Sequence, residues 1–252
     1  MLEQPTRNLL SFIAEEHACE LVSTFKHHEH LSMFTAVDSL FQAPIPHFDV
    51  EHGLGTVSQL YLFVQYYMYA AMSNVMRLHQ SEAYSCTRIA IDATLTAYRI
   101  IENQDLHPLY QQRDHTFQII ARFMKKATKA DHTKFPLAKD LLAAWDICSE
   151  FGSHADVSTF FYRMKTIPDI DDSSKQMLQF MFFQQPENDE LASLHYSELL
   201  HTFMCILAVF DPFVRTSTPG FDHATWTQKR NDFSEAVVRQ WQIDMNAARA
   251  KG

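Results

Sequence analysis

Two neighbouring segments carry apolar residues around most of the helical circumference. In the segment 57–80, apolar residues recur every three or four positions, and further aromatic residues cover the opposite side. The segment 83–102 shows the same character over its second half, 89–101. A helix that is apolar nearly all round belongs in a protein core or in a subunit interface. The pattern therefore predicts two central helices.

Amphipathic stretches separated by proline, glycine or polar clusters predict the other helices. They cover residues 7–41 (with a break near 27–30), 109–130, 136–152, 173–184, 186–210 and 222–249. The stretch 155–165 suits a helix or a strand, since valine, threonine and phenylalanine also favour strands. No linker or change of composition divides the chain. We predict an all-α fold, a single-domain multi-helix bundle over residues 1–252, with about seven to nine helices around the two apolar ones.

The first predicted helix has separate apolar and polar sides. Its apolar residues are Leu10, Ala14, Leu21 and Phe25. Glu16, Glu20 and His27 lie on another side. We expect the apolar side to face the bundle and the acidic side to be mainly in solvent, where loosely held ligands bind metal poorly.

The overall composition excludes several classes of protein. Hydrophobic residues make up 46% and charged residues 20% of the chain, which is typical of a globular protein. The five glycines are too few for a turn-rich β fold. A formal net charge of −9 argues against nucleic-acid binding, which normally needs a basic surface.

The cysteines indicate which cellular compartment the protein occupies. Cys19, Cys86, Cys148 and Cys205 lie far apart in helical stretches, as expected of reduced thiols in a reducing environment. Glu15 and Glu16 interrupt the only early apolar run, and the strongest apolar run, 60–72, is too short for a membrane span. These features predict a cytoplasmic protein without a membrane segment.

The spacing of His195, Glu198 and His201 suggests a metal site. The three residues share one side of the predicted 186–210 helix, and imidazole and carboxylate are ligands for zinc or iron. A di-iron bundle would need a second Glu-x-x-His pair on another helix, and none is found. The preferred interpretation is that His195 and Glu198 bond to each other or to solvent, while His201 is a core histidine. The sequence requires no cofactor, and a transition metal is the alternative.

A second candidate site lies on the 83–102 helix. Arg88 and Asp92 are four residues apart in surroundings with few polar positions, where an arginine is costly unless it is paired. An ion pair between them is the preferred interpretation. The functional alternative is that Arg88 binds an anionic ligand in a pocket that Ser149 and His154 complete.

The helix predicted over 109–130 carries a basic stripe. Arg122, Lys125, Lys126 and Lys129 follow each other at helical spacing, opposite an apolar face. Such a stripe can bind RNA, an anionic surface or an acidic partner. A solvated helix face is the more common explanation, and no aromatic residues accompany the stripe as base-stacking platforms.

No motif identifies a reaction or a ligand. Our first hypothesis is a helical binding module that associates with itself, through a two-fold interface, and binds a protein partner or small ligand. Its basis is the aromatic surplus on the 57–80 helix. The alternatives are an enzyme that uses Arg88, Asp92 and His154 or the metal candidates, and weak nucleic-acid binding by the basic stripe.

Overall fold

The computed structural model describes residues 8–49, 55–152, 164–168, 176–180, 183 and 189–251. Within these ranges the chain forms nine α-helices and one two-stranded hairpin, which confirms the all-α prediction. The helices are α1 (Leu9–Lys26), α2 (His28–Gln42), α3 (Gly55–Met76), α4 (Gln80–Glu102), α5 (His107–Gln111), α6 (Ile120–Ala130), α7 (Ala138–Gly152), α8 (Asp189–Ser217) and α9 (His223–Lys251). The strands are β1 (Met164–Pro168) and β2 (Gln176–Phe180).

Three long helices form the centre of the described core. α3 and α4 pack closely along each other, as expected of the two apolar segments. α8 is a third central helix, because it packs against α2, α3, α4, α7 and α9. Tyr61 of α3, Leu95 of α4 and Phe203 of α8 are all fully buried in one hydrophobic cluster.

α8 is longer than the sequence predicted. It continues to Ser217 with Pro212 inside it, whereas we expected the helix to end at residue 210. Proline removes a backbone donor and crowds the preceding turn, at a cost of about 3 kcal/mol in a helix interior. Phe210, Phe213 and Val214 are buried around it, and their packing offsets that cost.

α8 also has the length and composition of a membrane-spanning helix. Its most apolar stretch has a mean hydropathy of 1.4, and it is the one such helix among the described residues. Of that stretch, 72% is buried inside the protein. Core helices of water-soluble proteins share these properties, so the feature is weak evidence for a membrane.

The hairpin corrects one predicted element. β1 and β2 are antiparallel, with Met164 opposite Phe180. The predicted helix over 173–184 is therefore wrong at residues 176–180. Methionine, leucine and phenylalanine suit either structure, and the pairing that selects the strand involves residues 8 to 16 positions away.

Polar contacts fix α9 beside α2 and α8. The indole Nε1 of Trp226 donates to the carbonyl oxygen of Leu40, at 2.9 Å. Asp211 Oδ1 lies 3.0 Å from His223 Nε2 and 3.0 Å from Arg230 Nη1, which ties the end of α8 to the start of α9. Burial acts to raise the pKa of Asp211, but the two arginines, Arg215 and Arg230, together with His223 lower it overall. These contacts set the path of α9 along α8.

Candidate functional site

A cavity of about 170 Å³ lies between α4, α7, α8 and α9. Small and aliphatic residues make up half of its wall, including Ala143, Ala144 and Leu199. The groups that bring chemistry to it are Tyr84, Asp140, Cys148, Glu198, His201 and Trp241. Glu198 and His201 are the two residues of this set that the sequence proposed.

A chain of hydrogen bonds holds Glu198 in the wall. The Tyr84 hydroxyl donates to Glu198 Oε2 at 3.3 Å and lies 3.0 Å from His195 Nδ1. The other ring nitrogen of His195 contacts the Gln80 amide. One set of protons satisfies every contact: Gln80 donates to His195 Nε2, His195 Nδ1 donates to Tyr84, and Tyr84 donates to Glu198.

Burial keeps Tyr84 in its neutral, donating form. Its pKa is raised well above the ordinary value, first by desolvation and then by the charge of Glu198. A neutral phenol stabilises the carboxylate without neutralising its charge. Glu198 can therefore present a negative charge to the cavity.

His201 and Trp241 form an aromatic wall. Their rings are stacked, with centroids 5.0 Å apart and planes at 16°. Burial lowers the pKa of His201, although Asp140 and Glu198 act in the opposite direction. The imidazole is therefore neutral at pH 7, and its Nε2 lies 4.0 Å from Cys205 Sγ.

The charge that lines the cavity is negative. Glu198 and Asp140 are its acidic residues, and the described lining includes no lysine or arginine. The lining hydroxyls of Thr87 and Thr202 donate to backbone carbonyls of their own helices, each at 2.8 Å. Burial raises the pKa of Cys148 to about 12, so this residue is an uncharged thiol.

The predicted metal ligands do not meet at one point. His195 and Glu198 contact Tyr84, while His201 turns toward Trp241 and Cys205. Within the described ranges, no group of three histidine, cysteine or acidic side chains is arranged to hold a metal ion. In the preferred interpretation, His195 and Glu198 bond to each other or to solvent and His201 lies in the core. In the structure His195 and Glu198 lie 3.7 Å apart and share Tyr84 as a partner, and His201 is half-buried in the cavity wall.

Arg88 and Asp92 both contact Trp145 and form no direct ion pair with each other. The Arg88 guanidinium lies over the indole ring, 4.7 Å from its centroid. Asp92 Oδ1 accepts the indole N–H at 2.9 Å, and burial raises the pKa of this carboxyl group. The predicted ion pair is therefore replaced by an arginine–indole–carboxylate arrangement.

The anion pocket predicted around Arg88 is not assembled by the described residues. Arg88 and Asp92 are absent from the lining of the cavity. The Ser149 hydroxyl donates to the carbonyl oxygen of Trp145 at 2.7 Å, within its own helix. His154 lies outside the described residues.

The basic stripe on α6 is partly engaged within the protein. Lys125 forms an ion pair with Asp146 of α7 and lies 4.8 Å from the centre of the Trp145 ring. Arg122, Lys126 and Lys129 are exposed. Three exposed cations on one helix agree with the interpretation of this face as a solvated surface.

A buried polar cluster joins α2, α8 and α9. His30 Nε2 lies 3.0 Å from Asp244 Oδ2, and Ser197 donates to the same oxygen. Gln240 donates to the other carboxylate oxygen at 3.0 Å. In a catalytic triad the histidine lies between the serine and the acid. Here the acid is in the middle and all three residues are buried, so the arrangement links helices and offers no activated nucleophile.

A larger groove lies elsewhere on the protein. It measures about 620 Å³ and runs between α2 and the start of α9. Its walls are mostly apolar, and its charged residues are Asp222 and Lys229. Size alone would select this groove, but the smaller cavity combines charge, hydrogen-bonding groups and aromatic surface, which ligand sites need.

Sequence reasoning missed Tyr84, Asp140, Cys148 and Trp241 in the cavity wall, and Asp244 in the buried polar cluster. The pattern of α9 did contain a signal for two of them. Trp226, Phe233, Val237, Trp241 and Asp244 recur at helical spacing, which places an acid on the inward side of the helix. Nothing in the pattern of α4 distinguishes Tyr84.

No protein-family model, curated protein or solved structure matches this chain. Functional inference therefore rests on the geometry of the chain itself.

Proposed function

We propose that this protein is a helical binding module that holds a small organic cation in the cavity between α4, α7, α8 and α9. The observation that carries the proposal is the pairing of two carboxylates, Glu198 and Asp140, with the indole of Trp241 and no lysine or arginine in the described lining. Carboxylates and indole rings both attract ammonium groups, most strongly where water is excluded.

The cavity limits the size of the ligand. A cavity of about 150 Å³ accepts a molecule the size of benzene, and this one measures about 170 Å³. Glu198 is the expected anchor for the ammonium group, because Tyr84 holds it in place and it is partly shielded from solvent. Asp140 is exposed and is expected to act at the entrance.

Calorimetry with three ligands of similar shape but different charge tests whether the cavity prefers a cation. Benzylamine is cationic at neutral pH, benzyl alcohol is neutral and benzoate is anionic. We expect benzylamine to bind most tightly, and Glu198→Gln to weaken its binding about tenfold or more, since a charge-assisted hydrogen bond contributes roughly 1.5–3 kcal/mol. Equal binding of the three ligands, or no binding of benzylamine, would contradict the proposal.

Glu235→Gln is the matched control. Glu235 is an exposed residue of α9 whose contact is Arg239, at 3.9 Å. The Glu235→Gln substitution removes one negative charge, as Glu198→Gln does, at a residue that does not line the cavity. If both variants weakened binding equally, the effect would come from the net charge of the protein and the role of Glu198 would be wrong.

The dispersal of polar residues supports binding over catalysis. Arg88 and Asp92 gather at Trp145, whereas His201 lies in the cavity wall. The contacts of Tyr84 and His195 satisfy one another. Burial raises the pKa of the Cys205 thiol, which lies 4.0 Å from His201 Nε2, to about 12, so this pair offers no thiolate at neutral pH. Nucleic-acid binding by α6 is the weakest alternative. The absence of a gel shift at low salt would rule it out.

A further inference from the structure

α1 turns its polar side toward the protein. Glu16 Oε1 accepts hydrogen bonds from His79 Nε2 at 2.8 Å and from Arg77 Nη1 at 3.3 Å. Ser23 donates to the carbonyl oxygen of Met76 at 2.7 Å and is buried. The expectation that this side faces solvent is therefore wrong for Glu16 and for the buried His27, whereas Glu20 is exposed as expected.

The apolar side of α1 faces outward. Leu10, Leu21 and Phe25 are 77%, 62% and 79% exposed. With Ala14 and Ala18 between them, they form a continuous stripe along the helix, which we call the α1 stripe. Scattered exposed leucines are ordinary, but a helix that hides its polar side and exposes its apolar side indicates a surface meant to be covered.

We propose that a second copy of this chain covers the α1 stripe, through two-fold pairing of α1 with α1. The order of side chains along the stripe suits this partner. When two copies run antiparallel about the middle of the stripe, Leu21 of one copy lies over Ala14 of the other, and Phe25 lies over Leu10. Small residues let two helices approach closely, and an isologous contact buries both stripes at once.

The exposed area is sufficient for a small dimer interface. Ile13 and Val22 border the stripe and are also exposed. Five large apolar side chains, each offering roughly 100 Å², give about 500 Å² per copy and about 1,000 Å² in total. That total reaches the area of about 1,000 Å² that a specific interface should bury.

The charges beside the stripe argue against a membrane as the partner. Helices that lie on anionic lipid surfaces carry lysine and arginine along their polar side. α1 instead carries Glu15, Glu16 and Glu20, and its Lys26 is paired with Asp189 at 3.0 Å. The stripe itself contains no acid, so two copies of an acidic protein can meet there without burying a carboxylate.

Sedimentation velocity from about 1 to about 200 µM tests the interface. We expect the wild-type protein to dimerise as its concentration rises, and L21E/F25E to lower the association constant at least a hundredfold while keeping its helical circular dichroism. Ile243→Glu is the matched control, because Ile243 is a large apolar residue that is 61% exposed on a different helix, α9. It should change the association constant less than threefold.

A second variant separates α1 from the aromatic surface of α3. Tyr66 is 63% exposed and lies beside Leu62, Phe63 and Tyr69, which are also exposed. Tyr66→Glu should leave association intact. Loss of association in Tyr66→Glu but not in L21E/F25E would overturn the proposal in favour of α3. A wild-type protein that stays monomeric over the whole range would overturn it outright.

Hydrogen exchange on the wild-type protein gives a readout that does not depend on a variant folding. Backbone amides of α1 should become more protected as the protein concentration rises, while those of α6 should not change. Equal protection of α1 at both ends of the range would contradict the proposal. Glu198→Gln should dimerise normally, so this inference and the cation proposal fail independently.

Discussion

At the scale of single residues, the protonation state of His201 decides whether the cavity stays negative. Burial lowers the pKa of this imidazole below its ordinary value of about 6.5. Above its pKa the ring is neutral and the charge of Glu198 and Asp140 is uncompensated. Below its pKa the ring is cationic and repels an ammonium ligand across the same wall.

We therefore predict that benzylamine binds less tightly as the pH falls below about 6.5 toward 5. Affinity falls with pH because a protonated His201 repels the bound cation. The lowered pKa of His201 places this change below pH 6.5. His201→Phe keeps a ring for Trp241 to stack on and cannot be protonated, so its affinity should change much less over this range. Calorimetry at three or more pH values checks this. An identical slope in both proteins would assign the effect to the carboxylates.

The site was only partly predictable from sequence, for reasons that lie in individual contacts. Glu198 and His201 could be found because their spacing on one helix is local information. Tyr84 could not, since its role depends on α4 lying beside α8, 114 positions away. The predicted ion pair between Arg88 and Asp92 does not form, because Trp145, on a different helix, offers an indole face to Arg88 and an N–H donor to Asp92.

At the scale of helices, Asp244 is the residue that connects α2, α8 and α9. Its carboxylate receives His30, Ser197 and Gln240 in a buried setting. We predict that Asp244→Ala lowers the free energy of unfolding by about 3 kcal/mol, because several buried polar groups lose their acceptor at once. Urea denaturation measures the change.

Glu235→Ala is the control for that measurement. It breaks an exposed pair on the same helix and should cost less than about 0.5 kcal/mol. If the two variants were equally stable, the buried cluster would contribute nothing beyond an ordinary surface pair.

Helices were predicted best where burial is continuous. α3 and α4 were placed nearly correctly because their apolar residues leave no alternative. The prediction ended α8 at residue 210, just before Pro212. The rule that proline ends a helix is local and takes no account of the packing around Phe213. The orientation of α1 was inverted because Arg77 and His79, its polar partners, follow it by about sixty positions.

At the scale of the whole molecule, the cysteines share one chemical property. Burial raises the pKa of Cys19 and Cys86, and raises those of Cys148 and Cys205 to about 12. The thiolate is the reactive form, so a pKa near 12 leaves roughly a thousandfold less of it than an ordinary value near 9.

We predict that native Cys148 and Cys205 react with iodoacetamide at pH 8 about a thousandfold more slowly than free cysteine. Unfolding in urea should restore the ordinary rate. Mass spectrometry of labelled peptides distinguishes the four sites, and Cys19, which is less buried than Cys148, should react first. Rapid native labelling of Cys148 would show that the cavity opens to admit the reagent.

The contacts of α2 with α9 also affect how the protein is made. Asp244 follows His30 by 214 positions, and Trp226 follows Leu40 by 186. At roughly 5–20 residues per second, α2 waits about 10 to 40 s on the ribosome before its last neighbour is synthesised. A product that stops before α9 would leave uncovered the side of α2 that contacts α9, and such fragments should be held by chaperones or degraded instead of accumulating.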